Sequence, residues 1–143
     1  MSVTKTIQSE VEAEIESILS GTGAVIMSRL RGYISNNITA VLAQKKIVVM
    51  CFPPTVGGIK PNIFSHTRAE DCRMQLRIVE EPKLNSIGID AYEVVERILS
   101  INGFKTSTGT LIYLDKIESV DPDNVNVVEF VVELKMQISF ARI

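Results

Sequence analysis

The chain has 143 residues, 45% hydrophobic and 22% charged, with 15 basic against 17 acidic side chains and a net charge of −2. That balance argues against disorder, and the lack of a basic excess argues against a general nucleic-acid binder. The length suits a single domain, residues 1–143, with a core of its own.

Ile7, Val11, Ile15, Ile18 and Leu19 recur at three- and four-residue spacing, while Glu10, Glu12, Glu14 and Glu16 fall mostly off that stripe. Residues 5–19 are therefore predicted to form an amphipathic helix, ended by Gly21 and Gly23. Met1 to Glu16 is polar and acidic rather than basic and then apolar, so no signal peptide is visible and an intracellular location is expected. Residues 24–46 are ambiguous: Ala24 to Leu30 reads as helix or strand, Gly32 to Asn37 as a turn, and Ile38 to Gln44 as a short helix or an extended run. Ile47 to Phe52 is apolar throughout and rich in β-branched residues, the pattern of a central strand covered on both faces. It is also the longest unbroken apolar run, and it is too short to cross a bilayer.

Pro53, Pro54, Gly57, Gly58, Pro61 and Asn62 crowd the following stretch, which is expected to lack regular structure and to serve as an interaction loop. Cys72, Met74, Leu76 and Ile78 then alternate with Arg73, Gln75 and Arg77 in a half-exposed strand stopped by Pro82. Asp90 with Glu93 forms a capping box and Ile89 with Val94 a hydrophobic staple, opening a second helix with Val94, Val95, Ile98, Leu99 and Ile101 on its apolar face. Gly103 stands where a left-handed stop is wanted, with Phe104 expected to fold back on Leu99.

Leu111 to Val120 reads as a strand, Asp121 to Asn124 as a turn, and Val127 to Phe140 as the returning strand. In that last segment Val128, Phe130, Val132, Leu134, Met136, Ile138 and Phe140 share one face, and Glu129, Glu133, Lys135, Gln137 and Ser139 lie mostly on the other. The expected fold is α+β: an antiparallel-rich sheet of about four strands, two main helices packed on one face, and a long C-terminal hairpin.

Little in the sequence points to chemistry. Cys51, His66 and Cys72 are the soft ligands at hand, and fourteen and five residues separate them, without the close pair a zinc site uses. A Cys51, His66 and Asp71 constellation can be written down, but Cys51 in an apolar strand is a desolvated, inert thiol, and both cysteines are expected to be reduced and buried. His66 is expected to hydrogen-bond locally from a loop. Lys105 and Thr106 lie between Gly103 and Gly109 as in a phosphate loop, yet the segment leaves a helix C-terminus instead of entering an N-terminus. The carboxylates of the Glu10 to Glu16 helix face, and those at Glu118, Asp121 and Asp123, read as surface and turn chemistry. No catalytic residue, cofactor or metal is expected. Arg68, Arg73 and Arg77 form a basic stripe without interleaved aromatics, which points to a protein contact rather than to nucleic acid.

Charge is segregated along the chain. Residues 1–20 hold one basic and four acidic side chains, residues 21–80 eight and three, and residues 81–143 six and ten. Two readings are open: solvated faces with no partner, or a subunit with a positive and a negative side suited to head-to-tail packing.

The order of elements over residues 5–143 resembles the tail terminator (tail completion) proteins of long-tailed bacteriophages and related prophages. It is carried by the N-terminal helix, the apolar strand ending in Pro53, the loop after it, and the strand running through Val79-Glu80-Glu81-Pro82 to Asn85. The helix from Ala91-Tyr92 to Ile101 and the hairpin ending in Phe140 complete it. The resemblance implies a virion protein, assembled in the host cytoplasm, whose copies close as a ring, typically of six. That ring caps the tail tube, stops its growth and offers a docking surface to head-tail connector proteins. The expected partners are further copies of the chain, the tail tube protein and the connector, with no sequence-specific nucleic acid and no membrane.

Contacts between subunits are expected on the outer face of Arg73 and Arg77 and on the acidic hairpin with Glu118, Asp121 and Asp123, and a tube contact on residues 53–67. Lys60 and Arg68 join this contact set. A head-tail adaptor or neck protein would share these features. A small α+β enzyme or ligand-binding domain would instead use Cys51, His66 or Arg68 in a pocket.

Overall fold

The computed structural model describes residues 2–28, 47–60, 66–83, 85, 87–120 and 127–141. Helix α1 spans Val3–Ile18, and the Ser2 hydroxyl accepts a hydrogen bond from the Lys5 amide at its N-terminus. It buries Ile7, Val11 and Ile15, as the stripe demands, but also Gln8 and Glu12. Glu12 is thus not on the solvated face expected of it. Gln8 and Glu12 are four residues apart and one position round from the apolar stripe, so the buried sector of α1 is wider than the hydrophobic pattern alone. Gly21 has φ +81°, and the Thr22 amide and hydroxyl both donate to the Leu19 carbonyl.

Strands β1 (Val25–Ser28), β2 (Val48–Cys51), β3 (Ile59–Lys60), β4 (His66–Glu80), β5 (Tyr113–Val120) and β6 (Val128–Ala141) form one sheet in the order β1-β2-β4-β6-β5, with β3 also paired to β4. Helix α2 covers Ala91–Ile98 and runs into a single 3-10 turn, Leu99–Ile101. The α+β class holds, with two corrections to the expected sheet. It has six strands among the described residues instead of about four, and it is mixed, because β1 pairs in parallel with β2. The ambiguous run after Ala24 resolves as strand because its β-branched residues lie alongside Val48 to Cys51, an arrangement no local pattern reveals.

The segment after Pro53 is less irregular than its prolines and glycines suggest. Thr55 bridges Arg73, the Gly57 and Gly58 carbonyls accept from the Asp71 and Glu70 amides, and β3 pairs Ile59 with Ala69. The chain therefore follows the edge of β4, as far as described, instead of projecting from it. A Cβ at Gly57 would sit 2.9 Å from the Asp71 carbonyl oxygen, so the close approach requires glycine. His66, expected in a loop, is the first residue of β4. The turn expected at Gly32 to Asn37, the run at Ile38 to Gln44 and the turn at Asp121 to Asn124 lie outside the described residues.

Helices α1 and α2 pack on one face of the sheet around Met74, Leu76, Ile78, Val132, Leu134 and Ile138, all essentially inaccessible to solvent. Alternation along β6 delivers these residues, as its sequence demands. In β5 the core-facing residues are Leu114 and Ile117, three apart, and the register shift between Leu114 and Lys116 explains the spacing: Asp115 is an extra residue in a β-bulge. A second shift, between Ala69 and Cys72, places Glu70 and Asp71 in a bulge of β4.

The expected cap of α2 is present, with the Asp90 carboxylate accepting from the Glu93 amide at 2.9 Å. At its end Gly103 is left-handed as expected, with φ +87°. The hydrogen bonding differs: the Gly103 amide donates to the Ile112 carbonyl, not back into the helix, and Leu99 is exposed while Ile101 is buried. No described helix is long and apolar enough to cross a membrane.

Candidate interaction surface

The sheet face turned away from the helices carries the polar chemistry. Pairing places Arg73 beside Lys135 and Lys135 beside Tyr113, Gln75 beside Glu133, and Arg77 beside Val131. Arg73 is the hub. Its Nη1 donates to Asp115 Oδ2 at 2.5 Å and lies 3.8 Å from Glu133, and its Nε donates to Asp71 Oδ1 at 3.3 Å. Asp115, the extra residue of the β5 bulge, reaches Arg73 across β6. The hydrogen bond and charge of Asp115, with Asp71 behind them, hold the Arg73 guanidinium above its ordinary pKa. Arg77 pairs with Glu129 at 3.4 Å, Lys60 with Glu70 at 3.0 Å, and Glu118 with Lys116 at 3.7 Å.

The basic residues expected to meet a neighbour's acids thus have acids of the same chain beside them: Arg73 and Arg77 are joined to the hairpin by Asp115, Glu133 and Glu129. Arg68 differs. It is exposed, pairs across the ladder with the neutral Ser139, and makes no ion pair among the described residues; nor does Lys135. Both line an open groove of about 480 Å3 bounded by the β4 bulge, the end of β6, and the loop leading into β5 at Gly109, Leu111 and Tyr113. Leu111 and Tyr113 are exposed apolar surface on its wall. Asp121 and Asp123 lie outside the described residues.

At the opposite end of the ladder, a buried carboxylate organises the turn into α2. Glu80 accepts from the Ala91 amide at 3.1 Å and from the Asn85 side chain, whose Nδ2 also donates to the Ile89 carbonyl at 2.7 Å. The Val79 to Asn85 stretch followed by Ala91 is therefore a clamp, a carboxylate fixing a helix N-terminus. The sequence motif alone does not reveal this role; the signal it does carry is an acid in phase with the buried positions Leu76 and Ile78. Around it stand Glu81, Asp90 and Glu93, none in an ion pair among the described residues, with Glu118 and Glu129 nearby on the hairpin.

The loop from Phe104 to Ile112 closes on its own hydroxyls. Thr106 and Thr110 are buried, Thr108 lies within 2.7 Å and 3.2 Å of their oxygens, and Ser107 donates from amide and hydroxyl to Glu10 of α1. These bonds dock the loop on the helix layer. Cys51 and Cys72 are not joined in a disulfide and have no accessible surface, as expected of structural cysteines. No group of three His, Cys, Asp or Glu among the described residues is placed to hold a metal. No protein-family model matches the chain, and a search of curated proteins finds no match.

Proposed function

We propose that the protein is a structural assembly subunit of the tail-terminator type, acting as a ring of copies, six in the family it resembles, that caps a phage tail tube and presents a surface to the head connector. The observation that carries the reading is the polarity of the long ladder. β4 and β6, 15 and 14 residues long, extend about 45 Å at roughly 3.3 Å per residue. Arg68, a cation without an ion pair among the described residues, lies toward one end and Lys135 near the middle, while at the other end the carboxylates of Glu81, Asp90 and Glu93, likewise without one, outnumber Lys83. Surfaces of opposite sign at opposite ends favour a heterologous contact, which closes into a ring when the rotation permits.

The tube contact is assigned to residues 53–67, whose described part exposes Val56 and Ile59 beside the charged face. Purified protein is to be followed by light scattering and negative-stain imaging over a wide concentration range. Closed rings with a central hole are the expected result. Open aggregates, or a monomer at every concentration, count against the reading.

A further inference from the structure

Asn102-Gly103 is the single Asn-Gly pair of the sequence. Asparagine before glycine is a chemically labile junction, because a residue without Cβ lets its backbone nitrogen reach the preceding side-chain amide. The pair stands where the 3-10 turn Leu99–Ile101 hands the chain to the loop before β5, and both residues are exposed. Water reaches the junction freely, so geometry governs its chemistry. The Asn102 backbone is extended, with φ −61° and ψ 123°, which turns the Gly103 nitrogen away from the Asn102 side chain. That nitrogen donates to the Ile112 carbonyl at 2.8 Å, and Asn102 Oδ1 accepts from the Leu114 amide at 2.9 Å. Ile112 is fully buried and Leu114 is paired with Leu134 of β6, so both partners are anchored.

We propose that Asn102-Gly103 is a self-modification site, closed in the folded subunit and opened when the turn is released locally from β5. On release the Asn102 backbone rotates and the Gly103 nitrogen attacks Asn102 Cγ. A bond from that nitrogen to Cγ closes a succinimide, the bond from Cγ to the side-chain nitrogen breaks, and ammonia leaves with the proton that Gly103 gives up. Water then adds to either ring carbonyl, giving aspartate or isoaspartate. The reaction consumes water alone and needs no cofactor or oxidant. Aspartate keeps an acceptor for the Leu114 amide and adds a negative charge. Isoaspartate routes the main chain through the former side chain and lengthens it, which displaces the acceptor and loosens the start of β5 beside Leu111 and Tyr113. The inference is independent of the assembly reading: it concerns the chemical lifetime of the chain, which the stability of one turn sets.

The test incubates the wild-type chain at one pH and temperature, folded in buffer and unfolded in guanidinium chloride, and follows each asparagine by peptide mass and by separation of the isoaspartyl product. In the unfolded chain, residue 102 is expected to deamidate before every other asparagine. In the folded chain the same reaction is expected to run about tenfold or more slowly, because it waits for local opening. Hydrogen-deuterium exchange at the Gly103 and Leu114 amides reports that opening, and denaturant below the unfolding transition that speeds exchange there should speed deamidation in step. Asn102→Asp, which retains the acceptor oxygen, should melt close to the wild-type temperature and release no ammonia from this position. Equal rates in the folded and unfolded chains, or deamidation that ignores the exchange of Gly103 and Leu114, overturn the closed state. An unfolded chain that deamidates first at another asparagine overturns the site.

Discussion

Glu80 shows how one residue holds two elements in register. Its carboxylate is buried at the end of β4 and receives the first amide of α2 and the side chain of Asn85. Replacement by alanine leaves the Ala91 amide buried without an acceptor, leaves the Asn85 side chain only the Ile89 carbonyl, and removes a negative charge from a helix N-terminus. The expected cost of Glu80→Ala is about 2–4 kcal/mol, read as a lower midpoint in urea unfolding. Glu80→Gln, which keeps one acceptor oxygen, should cost less, and equal losses in the two variants would refute the clamp. The alternation of Met74, Leu76 and Ile78 made the position legible as inward-facing, but the sequence offered nothing to pair it with, because its partners follow five and eleven residues later across a turn. The Arg73 pair with Asp115, separated by 42 positions, was illegible for the same reason. Sign and strand phase are visible in a sequence, but cross-strand partners are not.

At the scale of elements, periodicity read correctly wherever the ladder is regular and failed where it is interrupted. β6 alternates without a break over its length, and its faces fall as its residues dictate. In β5 the core residues Leu114 and Ile117 stand three apart, a spacing alien to an ideal strand, and only the extra residue at Asp115 reconciles it. Deleting Asp115 should restore simple alternation, with Leu114 and Ile117 still inward and Lys116 outward. The fold is expected to survive with a stability change within about 1 kcal/mol, since the lost ion pair is solvent-exposed. Loss of the folded circular dichroism signal on that deletion would contradict a bulge at Asp115. The segment after Pro53 misled in the other direction: proline and glycine announced a loop, whereas Thr55, Gly57 and Gly58 still bond to β4 through the gaps the prolines leave.

For the molecule as a whole, much of the charge segregation along the sequence is met within the ladder, because β4 and β6 run side by side and Arg73 and Arg77 reach Asp115, Glu133 and Glu129. If opposite ends attract, association weakens with salt. Between 0.1 and 1 M the screening length falls from about 10 Å to about 3 Å, and the association constant is expected to drop by about tenfold or more. Assembly that is indifferent to salt, measured by sedimentation across that range, would shift the weight of the contact to Val56, Ile59, Leu111 and Tyr113. Among these, Val56 and Ile59 lie toward the β3 side of β4, and Leu111 and Tyr113 toward the β5 side, so single substitutions can separate them.

The strand order also sets the timing of folding. β6 comes after every other described strand in the chain, yet it sits inside the sheet, between β4 and β5. Until it has been synthesised, β4 lacks its longest neighbour, β5 has none among the described strands, and the helices have only part of a floor to pack on. Pairing His66 to Glu80 with Val128 to Ala141 also closes large loops, the kind of non-local contact that slows folding. The nascent chain therefore has no means of presenting a finished edge to a neighbour early, and the completed subunit is the first species able to join one.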